Sequence, residues 1–130
     1  MDDPVCEAIL FADKVIQEKS GKYGLIGIFD RFTLPSFPSP LIPQWWVFIA
    51  IRTIEVGKHE FALTLIREEA QQVIVPINGE IEIADKSKGI TLSLPIQPVS
   101  FPKPGKYLVM FYLDGTFVTH KDLTVESVSQ

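Results

Sequence analysis

The sequence predicts an all-β protein: one domain of about eight short antiparallel strands, packed as a sandwich or closed as a barrel. Three observations lead there. Apolar runs recur at near-regular spacing, each bounded by Gly, Pro, Asn or Asp. Several of them alternate apolar and polar residues with the period of a half-buried strand. Finally, Asp114-Gly115 joins the aromatic-rich runs Tyr107–Leu113 and Phe117–Val125, which is the strongest short-range hairpin signal a sequence offers. Helical patterns at the spacing of a parallel βαβ fold are missing.

The elements follow in chain order. Residues 5–17 are ambiguous. Asp3-Pro4 resembles an N-cap with proline at the first helical position, and Val5, Ala8, Ile9, Ala12, Val15 and Ile16 fall on one helical face. An extended Ala8–Ile16, turned through Gln17–Lys22, pairs equally well with the β-rich Tyr23–Phe29 as a hairpin. Leu34–Pro43 carries four prolines and reads as a loop. Trp45–Ile54 is aromatic and β-branched with no helix cap. In His59–Arg67, Phe61, Leu63 and Leu65 alternate with Glu60, Ala62 and Thr64. Val73–Val75 leads through Pro76 and Asn78-Gly79 to Ile81-Glu-Ile83. Gly89–Ile96 places Ile90, Leu92, Leu94 and Ile96 on one side, and the Tyr107–Val125 hairpin completes the set.

At 130 residues the chain suits one domain, residues 1–130, and can bury roughly 65–70% of its unfolded surface. Its 46% hydrophobic content is that of a globular protein, and ten prolines with eight glycines imply many turns. The net charge of −4, without a Lys/Arg cluster, argues against nucleic acid as a partner. Cys6 is the one cysteine, so no intramolecular disulfide or multi-cysteine metal site is expected. The acidic N-terminus and the short apolar run Ala8–Ala12 resemble neither a secretory signal nor a membrane span, so a soluble cytoplasmic protein is expected.

Chemistry is sparse. His59 and His120 are the available bases, and no Gly-x-Ser-x-Gly elbow accompanies them. His59, at a turn after Gly57-Lys58, reads as a solvated histidine. His59 and Glu60 point to opposite strand faces. His120 and Asp122 share a face but are too few to hold a metal. Glu80 and Glu82 read as the solvated side of a strand that buries Ile81 and Ile83. Gly21-Lys22-Tyr23-Gly24 is not a phosphate loop. No catalytic residue, metal or cofactor is expected.

The runs Ala8–Asp13, Ser20-Gly-Lys22 and Leu25–Asp30 resemble the opening of small bacterial proteins catalogued only as a domain of unknown function. Gly57-Lys-His59 and Pro104–Tyr107 with Asp114-Gly115 fit the same pattern. This resemblance implies an immunoglobulin-like antiparallel β-sandwich and tips residues 5–17 toward a strand, with the Asp3-Pro4 pattern leaving a short N-terminal helix open. It carries over no activity and no site residue.

One surface invites function. On a strand, Trp45, Val47, Ile49 and Ile51 point one way and suit the core. Trp46, Phe48, Ala50 and Arg52 point the other way and end in a charge. Trp46 and Phe48, beside Phe37 of the proline-rich loop, form a candidate partner surface. The bland alternative is that Leu34–Pro43 folds over the pair and buries it. The expected function is therefore a non-catalytic module that binds another protein or a second copy of itself. A carbohydrate-binding module and, more remotely, a small hydrolase-like enzyme are the rivals.

Overall fold

The computed structural model describes residues 3–128, and over them the chain is all-β with two packed sheets. Nine strands follow one another: β1 (Val5–Gln17), β2 (Tyr23–Phe29), β3 (Arg31–Leu34), β4 (Trp45–Arg52), β5 (Gly57–Arg67), β6 (Gln72–Ile83), β7 (Ile90–Ile96), β8 (Gly105–Leu113) and β9 (Thr116–Ser127). The first sheet has the order β2-β1-β4-β7 and is antiparallel throughout. The second has the order β3-β9-β8-β5-β6, and in it β3 runs parallel to β9. Among the described residues no helix is long and apolar enough to cross a membrane.

Two expectations need correction. There is no N-terminal helix, because residues 5–17 form β1, paired with β2 on one side and β4 on the other. The apolar positions that mimic a helical stripe arise because β1 meets apolar neighbours on both of its faces. The ninth strand is β3, which follows Asp30 at once and transfers the chain from the first sheet to the second. Its four residues are too few to show alternation, and its parallel partner β9 lies some ninety positions along the chain.

Alternation explains the core. Trp45, Val47, Ile49 and Ile51 of β4 are each 2% exposed or less and face Leu63, Leu65, Val109, Phe111 and Leu123 of the second sheet in one cluster. An aromatic chain spans both sheets: Trp45 lies 5.3 Å from Phe11 and 5.7 Å from Phe32, Phe32 lies 5.7 Å from Phe101, and Phe101 lies 5.0 Å from Tyr107. The Tyr107 hydroxyl donates to the Lys103 carbonyl at 2.6 Å, anchoring the entry to β8. At the far end Asp114 and Gly115 have φ of 50° and 79°. These are the values a two-residue type I′ hairpin turn needs, and they explain Asp-Gly there. Asn78-Gly79, by contrast, makes no turn. It lies inside β6, where a Cβ on Gly79 would fall 2.6 Å from the Phe61 ring.

The proline segment is tied down. Ser39, 6% exposed, donates its N–H to the Phe101 carbonyl at 2.8 Å and accepts the Phe101 N–H on Oγ at 2.9 Å. Ile42 bridges Val99 three residues further on.

Candidate functional site

The register places the outward residues of the first sheet side by side. Trp46 sits between Ala12 and Pro95, Phe48 between Leu10 and Ser93, and Ala50 between Ala8 and Thr91. Beyond Ala12 the row continues to Ile28 on β2. Trp46, Phe48 and Ala50 are half-buried and Arg52 is exposed, where it pairs with Glu7 at 3.6 Å. The outer face of an antiparallel sandwich sheet ordinarily alternates to polar residues. The second sheet mixes the two kinds: Lys58, Glu60, Glu80, Glu82, Lys106 and Asp122 are exposed on it, alongside half-buried Leu108, Met110 and Tyr112 and the exposed Phe117. The first sheet is apolar more continuously. Its strands β1 and β4 read as near-continuous apolar runs, the pattern of a sheet covered on both sides.

Phe37 stands apart from this face. It is half-buried against the interior cluster, while the segment around it bonds to the β7–β8 connection through Ser39 and Ile42. Sequence reasoning placed the three aromatics together; the structure brings together Trp46 and Phe48, and gives Phe37 to the core.

A residue that sequence reasoning did not single out joins the pair instead. The Tyr23 ring meets Phe48 edge-on, centroids 5.7 Å apart at 69°. Tyr23 pairs with Gln17 and Phe48 with Leu10, seven residues apart on β1. A straight hairpin would set these positions about 23 Å apart along the strand. The contact therefore requires the β1–β2 hairpin to curl back across the outer face. Gly27 marks the bend: its φ is 71°, and a Cβ there would lie 2.3 Å from the Asp13 carboxylate. Nothing in the local sequence separates this glycine from an ordinary strand glycine.

A second constellation lies at the end of the sandwich, around an open groove of about 660 Å³ lined in part by Thr53, Ile54, Glu55, His59, Asp114 and Phe117. His59 lies on β5 with its side chain 14% exposed, not free in solvent. Nδ1 is 2.6 Å from the Asp114 carboxylate and Nε2 is 2.6 Å from the Glu55 carbonyl oxygen. A carbonyl can only accept, so Nε2 carries a proton, and the carboxylate calls for a second proton on Nδ1. The Asp114 carboxylate, helped by the Glu55 carbonyl, accordingly holds the His59 pKa above its usual value. The His59 ring and the Glu60 N–H, which donates to Asp114 Oδ1 at 2.9 Å, hold the Asp114 pKa below the usual carboxylate range. The Glu55 carboxyl is lowered too, by Lys86 at 2.7 Å. This is a clasp joining the β4–β5 loop, β5 and the β8–β9 turn, with both imidazole nitrogens engaged. Its partners are 55 residues apart, and Asp114 announces itself in the sequence as a turn residue. His120 and Asp122 do meet, at 3.5 Å, on an exposed strand face.

The architecture and these two sites define an all-β, two-sheet protein with an aromatic pair on one outer face and a histidine–aspartate clasp at its end. The chain belongs to DUF6941, a family of unknown function, which it matches over residues 7–126. No curated protein matches it.

Proposed function

We propose that this chain is a non-catalytic protein-interaction module: an immunoglobulin-like sandwich, working in the cytoplasm, that docks another protein or a second copy of itself through the Trp46–Phe48 face. The observation that carries the reading is the Trp46–Phe48 pair, half-buried on the outer face of the first sheet among Leu10, Ile28 and Ala50. Fully burying an aromatic of this size stabilises by roughly 1.5–3 kcal/mol, so the half-buried pair supplies part of an interface's energy and a docking partner must bury its aliphatic neighbours as well.

Several features support the immunoglobulin-like description. Strands β9, β8, β5 and β6 lie in the order G-F-C-C′, with β4 beside β7 in the place of B beside E. Tyr107 at the start of β8, bonded to the backbone four residues upstream, has the form of a tyrosine corner. The buried tryptophan departs from that scheme by standing on β4, the B position. Engagement of both His59 nitrogens supports a structural role over a general base. The predominance of apolar over hydrogen-bonding groups on the face favours protein over sugar. A single cysteine suits a reducing compartment.

The test pairs sedimentation velocity of the purified chain over a concentration series with affinity capture, each run on wild type and Trp46→Ser. Association or a captured partner that is lost in the folded variant is the expected result. Association unaffected by Trp46→Ser, or none in either assay, overturns the assignment of this face.

A further inference from the structure

On the reading that the Trp46–Phe48 face is a docking surface, we propose that the tip of the β1–β2 hairpin is its built-in cover, a strap that bends at Asp13 and Gly27, closes on Phe48 through Tyr23 and lifts when a partner docks.

The strap is defined by where pairing stops. The ladder between β1 and β4 ends at Ala12 and Trp46, whereas that between β1 and β2 continues to Gln17 and Tyr23. Beyond Asp13 the hairpin is thus a two-stranded ribbon without a third strand, a unit that is marginal in water unless one side rests on something. Its two sides differ. Val15, Tyr23 and Leu25 are half-buried, while Lys14, Ile16 and Ile26 on the other side are exposed, the isoleucines to 51% and 50%. The Tyr23–Phe48 ring contact identifies what the first side rests on.

The ends of the strap suit a rigid-body motion. At the tip, the Glu18 N–H donates to the Lys22 carbonyl at 2.8 Å and the Gly21 N–H to the Glu18 carbonyl at 2.9 Å, so the turn moves as one piece. At the base, Gly27 occupies a conformation that L side chains rarely adopt, with the Asp13 carboxylate where a side chain would be. The occupant of the aromatic face in the free chain is therefore a segment of the same chain. A docking partner must supply contacts that replace Tyr23 on Phe48. Its apparent affinity is then reduced by the fraction of molecules in which the strap is closed.

Acrylamide quenching of tryptophan fluorescence reads the cover through Trp46, which shares the outer face with Phe48 two residues away, because Trp45 is 1% exposed and adds little accessible signal. Tyr23→Ser is expected to raise Trp46 quenching and to tighten association of the chain with itself or its captured partner by roughly 2- to 10-fold, the scale of one edge-to-face ring pair. Tyr23→Phe keeps the ring and is expected to behave as wild type, which separates loss of the contact from damage to the hairpin. Unchanged quenching in a folded Tyr23→Ser protein overturns the strap. Raised quenching with no gain in association keeps the strap and overturns the docking reading instead.

Discussion

The two adjacent tryptophans offer the sharpest test of how β4 is divided. Trp45 is 1% exposed and its ring meets Phe11, Phe29 and Phe32 at 5.3, 5.5 and 5.7 Å. Truncating a buried aromatic costs about 3–5 kcal/mol, and a serine hydroxyl stranded in that site adds to it. Trp46 is half-buried. With about 100 Å² of its ring covered, the same truncation forfeits about 2.5 kcal/mol. For a chain of this size each kcal/mol moves Tm by about 3–5 °C. Trp45→Ser is therefore expected to lower Tm by about 10–20 °C, and Trp46→Ser by about 12 °C at most. Thermal and urea unfolding followed by far-UV circular dichroism measures both. Equal losses would show that Trp46 is core and would refute the division of faces on which the docking surface depends.

Two further outcomes follow from the structure. His59 has a raised pKa, so its contribution is complete below its unfolded value of about 6.5 and fades as pH rises through the higher folded value. Asp114 has a lowered pKa, so its share is complete above about 3.8 and is lost as pH falls through the folded value. His59→Gln is expected to cost about 1 kcal/mol near pH 6, a charge-assisted bond discounted for the 53% exposure of Asp114, and to flatten the alkaline fall in urea midpoint; an unchanged slope between roughly pH 6 and 9 would refute the clasp. Ser39→Ala removes the acceptor of the buried Phe101 N–H and is expected to cost about 1–3 kcal/mol in equilibrium unfolding, whereas a loss near zero would mean that the proline segment is not anchored there.

Much of the architecture is legible along the chain because its signals are local. The alternation in β4 assigns Trp45, Val47, Ile49 and Ile51 to the core and Trp46, Phe48 and Ala50 to the outside, and the burial of each residue agrees. Asp114-Gly115 turns as its residue types require. Ambiguity begins where one pattern serves two structures. In residues 5–17 a strand apolar on both faces carries the same spacing as a helical stripe. Asn78-Gly79 carries a turn signal that the pairing of β6 with β5 along its length overrides.

The functional surfaces divide in the same way. Trp46 and Phe48 share a face because two residues separate like from like on any strand. That Phe37 belongs to the interior, that Tyr23 rests on Phe48, and that His59 finds Asp114 all depend on contacts between segments distant along the chain. By itself the sequence determined the class of fold, most of the strands and the inward or outward sense of their side chains, since backbone geometry and alternation operate within a few residues. Only the tertiary structure decided the sheet order, the parallel pairing of β3 with β9, the bend of the first hairpin and the His59–Asp114 clasp. Those follow from which strands pack together, and the energy that selects among packings is spread over the whole core.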